Sequence, residues 1–564
     1  MVWFYVLSGI ILGSIIIIIT VKTKTASGDF YEISDKTYKC ILILLTVLFA
    51  FLLLYKVTSI PTAFNTDEAG SAYDAASIAK YHCDRHLYRF PVYFVNFGIH
   101  GQSALYTYLA AISITMFGNN VLTIRLPAIV LAFISALAFA FFMRKEFGNT
   151  ASIITLVLFC ILPFSIMHSR WGLDCYLFFP MMILSIVVFY SAVQNMKTGW
   201  WILSGCVFGL TLYSYSVSFM VVPLVLGINL LYLLWIRKIT WKEIVKMGIP
   251  LFAFACPLML MIAVNNGYID EIKTRFFSIP KLNAYSVSEL HPENIINSLK
   301  FSADNVFYNI FVNDRIVYNV NPNFGTIYYI SLPIALYGFI LSMRKCKKAL
   351  SEKSYSLDLL MSALFFSMLI ISMIIKKTNI NRSSCIFIPV IYYLVLSLLE
   401  IYRRKRKAAY AADLLYLGYF LCFINYYFTK FPEDLKYHIL FSSVADLRDA
   451  LTFAQTVKPE GETIYIPDYN QPYIYTLLAM DIDPFTFNQQ KVYSSTGLVK
   501  MVGEYRFNLD AVIPECVYVF RYPEFIPEDI DNYGFDVKQF GDIFVYYSPI
   551  YNRNEMDTNL SKAR

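Results

Sequence analysis

Two adjacent carboxylates, Asp67-Glu68, follow a long apolar run, Ile41 to Ile60. A carboxylate at a membrane surface is costly to desolvate and tends to mark a reaction or transport path. There it can take a proton from an incoming hydroxyl or amine, as a general base. The competing reading is structural: Asp67 would cap a short amphipathic helix, with Glu68 in its first turn. The stretch that follows stays polar and aromatic through Gln102, with Asp74, Asp84-Arg85 and Tyr93-Phe94-Val95-Asn96-Phe97-Gly98. Two more clusters have chemical potential. One is Lys376-Lys377-Thr378-Asn379-Ile380-Asn381-Arg382. The other is His168-Ser169-Arg170-Trp171-Gly172-Leu173-Asp174. Cations so placed suit a phosphate at headgroup level. They equally suit interfacial anchoring, because Lys and Arg snorkel at helix ends.

The elements that must position these groups are membrane helices. The chain has 564 residues, 57% hydrophobic and only 15% charged, less charge than a soluble protein of this length carries. Apolar runs of span length recur to about residue 428. They predict twelve spans: about 2–20, 41–60, 122–143, 150–167, 175–193, 200–216, 218–236, 247–264, 326–343, 357–375, 384–402 and 409–428. The net charge of +7 is then a topology signal, not a nucleic-acid footprint, and no nucleic-acid partner is expected.

Basic residues concentrate in one set of alternate loops. These hold Lys22, Lys24, Lys36 and Lys39; Arg144 and Lys145; Lys197; the stretches 237–246 and 344–353; and the run Arg403 to Lys407. That side is expected to be cytoplasmic. The opposite short loops hold only Arg170, Lys376, Lys377 and Arg382. Asp67, the loops 61–121 and 265–325 and the tail then lie outside, as do all six histidines or the helix ends that carry them. The 265–325 loop is long enough to cover a site as a lid, or it could be inert.

The ten cysteines form no CxxC pair and no disulfide framework. His82 and His86 have the i, i+4 spacing of a metal pair on a helix. Without an HExxH pattern, Tyr81 to His86 reads as an exposed polar segment. After about residue 430, apolar runs shorten and strands alternate with helices, which predicts a small α/β domain over 431–564. It has no Gly-rich phosphate loop.

Residues 40–430 resemble the GT-C superfamily of polyprenyl-phosphate-sugar-dependent glycosyltransferases, such as the protein O-mannosyltransferases and the lipid A aminoarabinose transferase. The resemblance rests on Phe64-Asn65-Thr66-Asp67-Glu68-Ala69-Gly70, on Tyr93 through Tyr108, and on Arg125-Leu126-Pro127. It implies a polytopic α-helical membrane module over 1–430 with an extracytoplasmic C-terminal domain. It also implies sugar transfer from a polyprenyl-phosphate donor to an extracytoplasmic glycan, lipid or protein, with inversion. Asp67 matches the catalytic carboxylate, Glu68 would orient the acceptor or hold Asp67, and Asp174 matches the second acidic position. Arg382, Lys376, Lys377 and Arg170 become the candidates for the donor phosphate, which gathers charge as it leaves. Tyr93, His100 and Gln102 would line the substrate. Tyr213-Ser214-Tyr215-Ser216 either faces the sugar or, the favoured reading, forms an interfacial aromatic belt. Relatives with a Lys-Pro phrase after the first outer helix have His100-Gly101-Gln102 here, so no lysine role carries over. The resemblance leaves a divalent ion near Asp67 open, since some relatives bind one. Two alternatives are a lipid-linked oligosaccharide ligase or polymerase, and a transporter. A transporter would need charged or broken helices at mid-membrane, and these spans are almost free of charge.

Overall fold

The computed structural model describes residues 33–549, apart from 63, 98–99, 283–291, 376–377, 405, 437, 439–440, 442, 468–470, 496, 510–511, 522–525 and 528–529. Among the described residues, eight helices are long and apolar enough to cross a membrane: Asp35–Leu54, Val121–Phe147, Asp174–Asn195, Ser218–Trp235, Trp241–Asn265, Leu357–Ile374, Ile380–Arg404 and Lys407–Thr429. Each coincides with an expected span. The expected 2–20 span lies outside the described residues. Three others differ. The 150–167 run breaks into Asn149–Ile161 and Pro163–His168 at Leu162-Pro163, because proline has no N–H to continue the ladder. The 200–216 run gives only the 15 residues Thr198–Leu212. The 326–343 run becomes Ser331–Ser351, whose second half carries Arg344, Lys345, Lys347 and Lys348.

Caps set the helix starts. Asn120 and Thr123 form a reciprocal capping box ahead of Val121–Phe147, and Thr240 and Glu243 form another ahead of Trp241–Asn265. The long loops are not bare. Residues 61–121 fold into Thr66–Tyr81, a hairpin of β1 (Phe94–Asn96) and β2 (His100–Gln102), and Ala104–Phe117. The 265–325 segment holds a short hairpin of β3 (Ile272–Lys273) and β4 (Ser278–Ile279), then the helix Pro292–Phe311. Val92 N donates to Ser278 O at 2.9 Å, tying the two loops together.

The tail forms a seven-stranded sheet from β5 (Ile464–Tyr465), β6 (Lys491–Tyr493), β7 (Val499–Val502), β8 (Tyr505–Arg506), β9 (Val517–Phe520), β10 (Asp536–Phe540) and β11 (Ile543–Tyr547). Its order is β10-β11-β9-β5-β8-β7-β6, with β5 parallel to β8 and β9 and the other pairs antiparallel. The expected helices and strands at Ser443–Thr456, Thr463–Pro467, Tyr473–Met480, Val517–Phe520 and Ile543–Tyr547 are all present. The sheet is not a separate body. Ile474, Leu477 and Phe487 share one apolar core with Ala69, Ala72 and Phe94.

Candidate active site

Thr66–Tyr81 presents its first turn to the site. Asn65, not Asp67, caps it: the Asn65 side chain accepts from Asp67 N at 2.9 Å. This corrects the capping reading of Asp67, which is exposed. Asn96 Nδ2 on β1 donates to Asp67 Oδ1 at 3.0 Å. The positive end of the helix favours the charged carboxylate.

One residue on, the helical turn points Glu68 into the protein, where it is 0% exposed. Arg125 grips it in a two-pronged pair, Nε to Oε1 at 2.8 Å and Nη2 to Oε2 at 3.0 Å. Gly172 N donates to Glu68 Oε1 at 2.7 Å. Only glycine fits at 172, since a Cβ there would stand 2.0 Å from the Tyr106 hydroxyl. Arg125 Nη1 also donates to Val57 O and Pro61 O. Glu68 thus braces Arg125, the Gly172 backbone and, through Arg125, the chain at Val57 and Pro61.

Arg170 does related work. Its buried guanidinium donates to Leu52 O and Leu53 O through Nη1, and to Tyr55 O and Ile60 O through Nη2, at 2.6–2.9 Å. These carbonyls lie where the helix Asp35–Leu54 ends, and unsatisfied carbonyls are costly at membrane depth. Two arginines from distant segments thus hold the turn that delivers Asp67.

Asp174 opens the helix Asp174–Asn195. Its Oδ1 accepts from Cys175 N at 2.7 Å and its Oδ2 from Ser103 N at 3.1 Å. It lies within electrostatic reach of Asp67. Gln102 Nε2 donates to Ser71 Oγ at 2.7 Å, and both side chains are buried. Tyr93 is buried over Gly101, where a Cβ would meet its ring at 2.0 Å. His100 is the strand partner of Asn96.

Arg382 lies in the short helix Ile380–Ser383, half-buried, its N–H donated to Asn379 Oδ1 at 3.0 Å. Lys376 and Lys377 lie outside the described residues. Burial pushes the Tyr215 phenol well above its ordinary range, and the charges of Arg382 and Asp174 both act on it. Of the two readings of Tyr215, these charges favour the one that faces the site. The 265–325 segment reaches the site through Tyr318, which bonds Asn65 and feels the charge of Asp67.

The segment 81–86 is also corrected. Cys83, Asp84 and Arg85 are buried, because Arg85 forms a two-pronged pair with Asp74, Nη2 to Oδ2 at 2.7 Å and Nε to Oδ1 at 3.0 Å. Burial and the Asp74 charge push the Asp84 carboxyl up to about 8. His82 ends its helix in the left-handed conformation, so the helical face that would align it with His86 does not exist. Among the described residues, no three His, Cys, Asp or Glu side chains converge as metal ligands.

Residues 102–262 match the family described as dolichyl-phosphate-mannose-protein mannosyltransferase. The fold is similar to that of ArnT from Cupriavidus metallidurans. The apo form is 12% identical at a TM-score of 0.51, over 90% of this chain and 97% of that one. The form bound to undecaprenyl phosphate is 11% identical at a TM-score of 0.50, over 91% and 98%. No curated protein sequence matches the chain. The fold is of the GT-C type seen in ArnT.

Asp67 and Asp174 lie within electrostatic reach of each other, Arg382 and Asp174 both act on Tyr215, and Glu68 and Arg170 are buried and bonded to other parts of the chain. Sequence reading missed Asn96, the Glu68–Arg125 and Asp74–Arg85 pairs, and Tyr475 of the tail. Tyr475 OH donates to Phe64 O at 2.9 Å, three residues before Asp67. The available signal was Arg125 itself, a charge near the start of a membrane helix. Such a charge is rare without a partner.

Proposed function

We propose that this enzyme transfers a sugar from a polyprenyl-phosphate donor to an extracytoplasmic acceptor, with inversion, and that Asp67 is the general base. The observation that carries the reading is the contrast between neighbours. Glu68 is buried and gripped by Arg125, whereas Asp67 reaches solvent from the first helical turn and is oriented by Asn96. The acceptor hydroxyl would give its proton to Asp67 as its oxygen bonds the anomeric carbon. The bond from that carbon to the lipid-phosphate oxygen breaks on the opposite face. One displacement inverts the centre and needs one base. Asp174 is a positioning residue that ties the 102–104 segment to its helix. Arg382, with Lys376 and Lys377, receives the phosphate charge. Arg170 is left out of that role, since both of its Nη atoms serve backbone carbonyls. Asn96, Gln102, Tyr93 and His100 frame the acceptor side.

The test is transfer rate against polyprenyl-phosphate-sugar concentration. Arg382→Ala is expected to lower turnover and donor affinity together. Arg382→Lys should rescue only in part, because an ammonium cannot reproduce the planar two-pronged contact. Full activity in Arg382→Lys with unchanged donor affinity in Arg382→Ala would remove the phosphate role.

The loop charges support an extracytoplasmic face for the site. In a background without reactive native cysteines, Leu350→Cys should resist an impermeant thiol reagent in intact cells, and Lys500→Cys should react. The reverse pattern would move the site to the cytoplasmic face.

A further inference from the structure

A cavity lies at the other end of the helices that carry the catalytic cluster. The helix Phe387–Arg404 starts close to Arg382 and runs 18 residues, about 27 Å, close to the thickness of a bilayer's hydrocarbon. Val121–Phe147 likewise starts beside Arg125 and ends at the same far boundary. There a cavity of about 420 Å³ opens between the ends of Val121–Phe147 and Phe387–Arg404 and the middle of Ser331–Ser351. Its inner wall is apolar, formed by Phe147, Leu341, Leu396 and Leu399. Its rim carries four cations, Arg344, Lys345, Arg403 and Arg404, against one carboxylate, Glu400.

The rim is only partly neutralised. Glu400 pairs with Arg404, and Lys345 Nζ stands 5.3 Å over the Phe147 ring. Arg344 and Arg403 are exposed and have no carboxylate partner among the described residues. Helix-end anchoring accounts for cations that point into water. It does not account for a cavity with cations on its rim and leucine and phenylalanine on its wall. That combination matches a phosphate with acyl chains attached, and basic pockets between membrane helices bind such headgroups. Arg344 and Arg403 offer planar donors suited to phosphate oxygens.

We propose that this cavity binds the headgroup of an anionic phospholipid, in the leaflet opposite the catalytic site. The occupant would brace the packed pair Ser331–Ser351 and Phe387–Arg404 at the end far from Arg382.

The experiment uses the full-length protein in neutral detergent, with retained lipid read by native mass spectrometry. Phosphatidylglycerol, phosphatidylcholine and inorganic phosphate are titrated separately. Wild type is expected to retain phosphatidylglycerol over phosphatidylcholine. Each removed cation should weaken retention about 5-fold, so Arg344→Gln/Arg403→Gln should lose about 25-fold. Lys347→Gln/Lys348→Gln removes the same charge from the same helix outside the cavity, and should change retention by no more than about 2-fold. Equal losses in the two double variants would reduce the effect to surface potential and overturn the site. Equal retention of the two lipids by wild type would overturn it without any variant. Displacement by inorganic phosphate at matched concentration would assign the cavity to a free anion and overturn the lipid.

Discussion

Asp67→Asn is expected to cut sugar transfer by about 10² to 10⁴, the usual range for a lost general base, while the protein folds and inserts as before. The structure separates the two effects. Asn65 supplies the cap, so the helix start does not depend on the Asp67 carboxylate. An amide oxygen at 67 still accepts from Asn96 Nδ2. The side chain is exposed, so the substitution places no new polar group in the core. What disappears is the ability to take a proton. The measurement is the initial rate of purified protein with a polyprenyl-phosphate sugar, beside a thermal melt of the same sample. Near-normal turnover in a well-folded Asp67→Asn protein would end the base assignment and the mechanism built on it.

Glu68 should behave in the opposite way. Glu68→Ala leaves the Arg125 guanidinium fully buried and without its counter-charge, a loss worth about 3–5 kcal/mol for such pairs. The cost is high because the pair also organises the Gly172 loop and the turn at Val57 and Pro61. The melting temperature should fall steeply, and activity should fall with it. Glu68→Gln keeps the shape and one acceptor and should lose less. Glu68→Gln combined with Arg125→Met should be more stable than the sum of the single losses, because neither charge is then stranded. A Glu68→Gln enzyme that melts like wild type but has lost turnover would instead put Glu68 in direct contact with substrate.

The two carboxylates look alike in the sequence, and their difference shows why some features were legible there and others not. Hydropathy and cap residues are local. A helix needs only a run of apolar side chains and a place to start. The spans, the α/β tail and the chemical promise of an acidic pair after a membrane segment could therefore be read directly. The roles of individual charges could not, because each depends on a partner far along the chain. Glu68 meets Arg125 across 57 residues. Arg170 meets Leu52 O across 118, and Tyr475 meets Phe64 O across 411.

Arg170 makes the point most sharply. A guanidinium near the membrane surface serves equally well as a phosphate clamp or as the donor for a helix's orphaned carbonyls. Residue type alone does not choose between them. The helix Asp35–Leu54 ends at just the point where both Nη atoms of Arg170 find carbonyls to bond. Backbone groups at that depth have no water to turn to. The tertiary structure therefore assigns Arg170 to holding the turn, buries Glu68 behind the site, and leaves Asp67 as the carboxylate that faces outward.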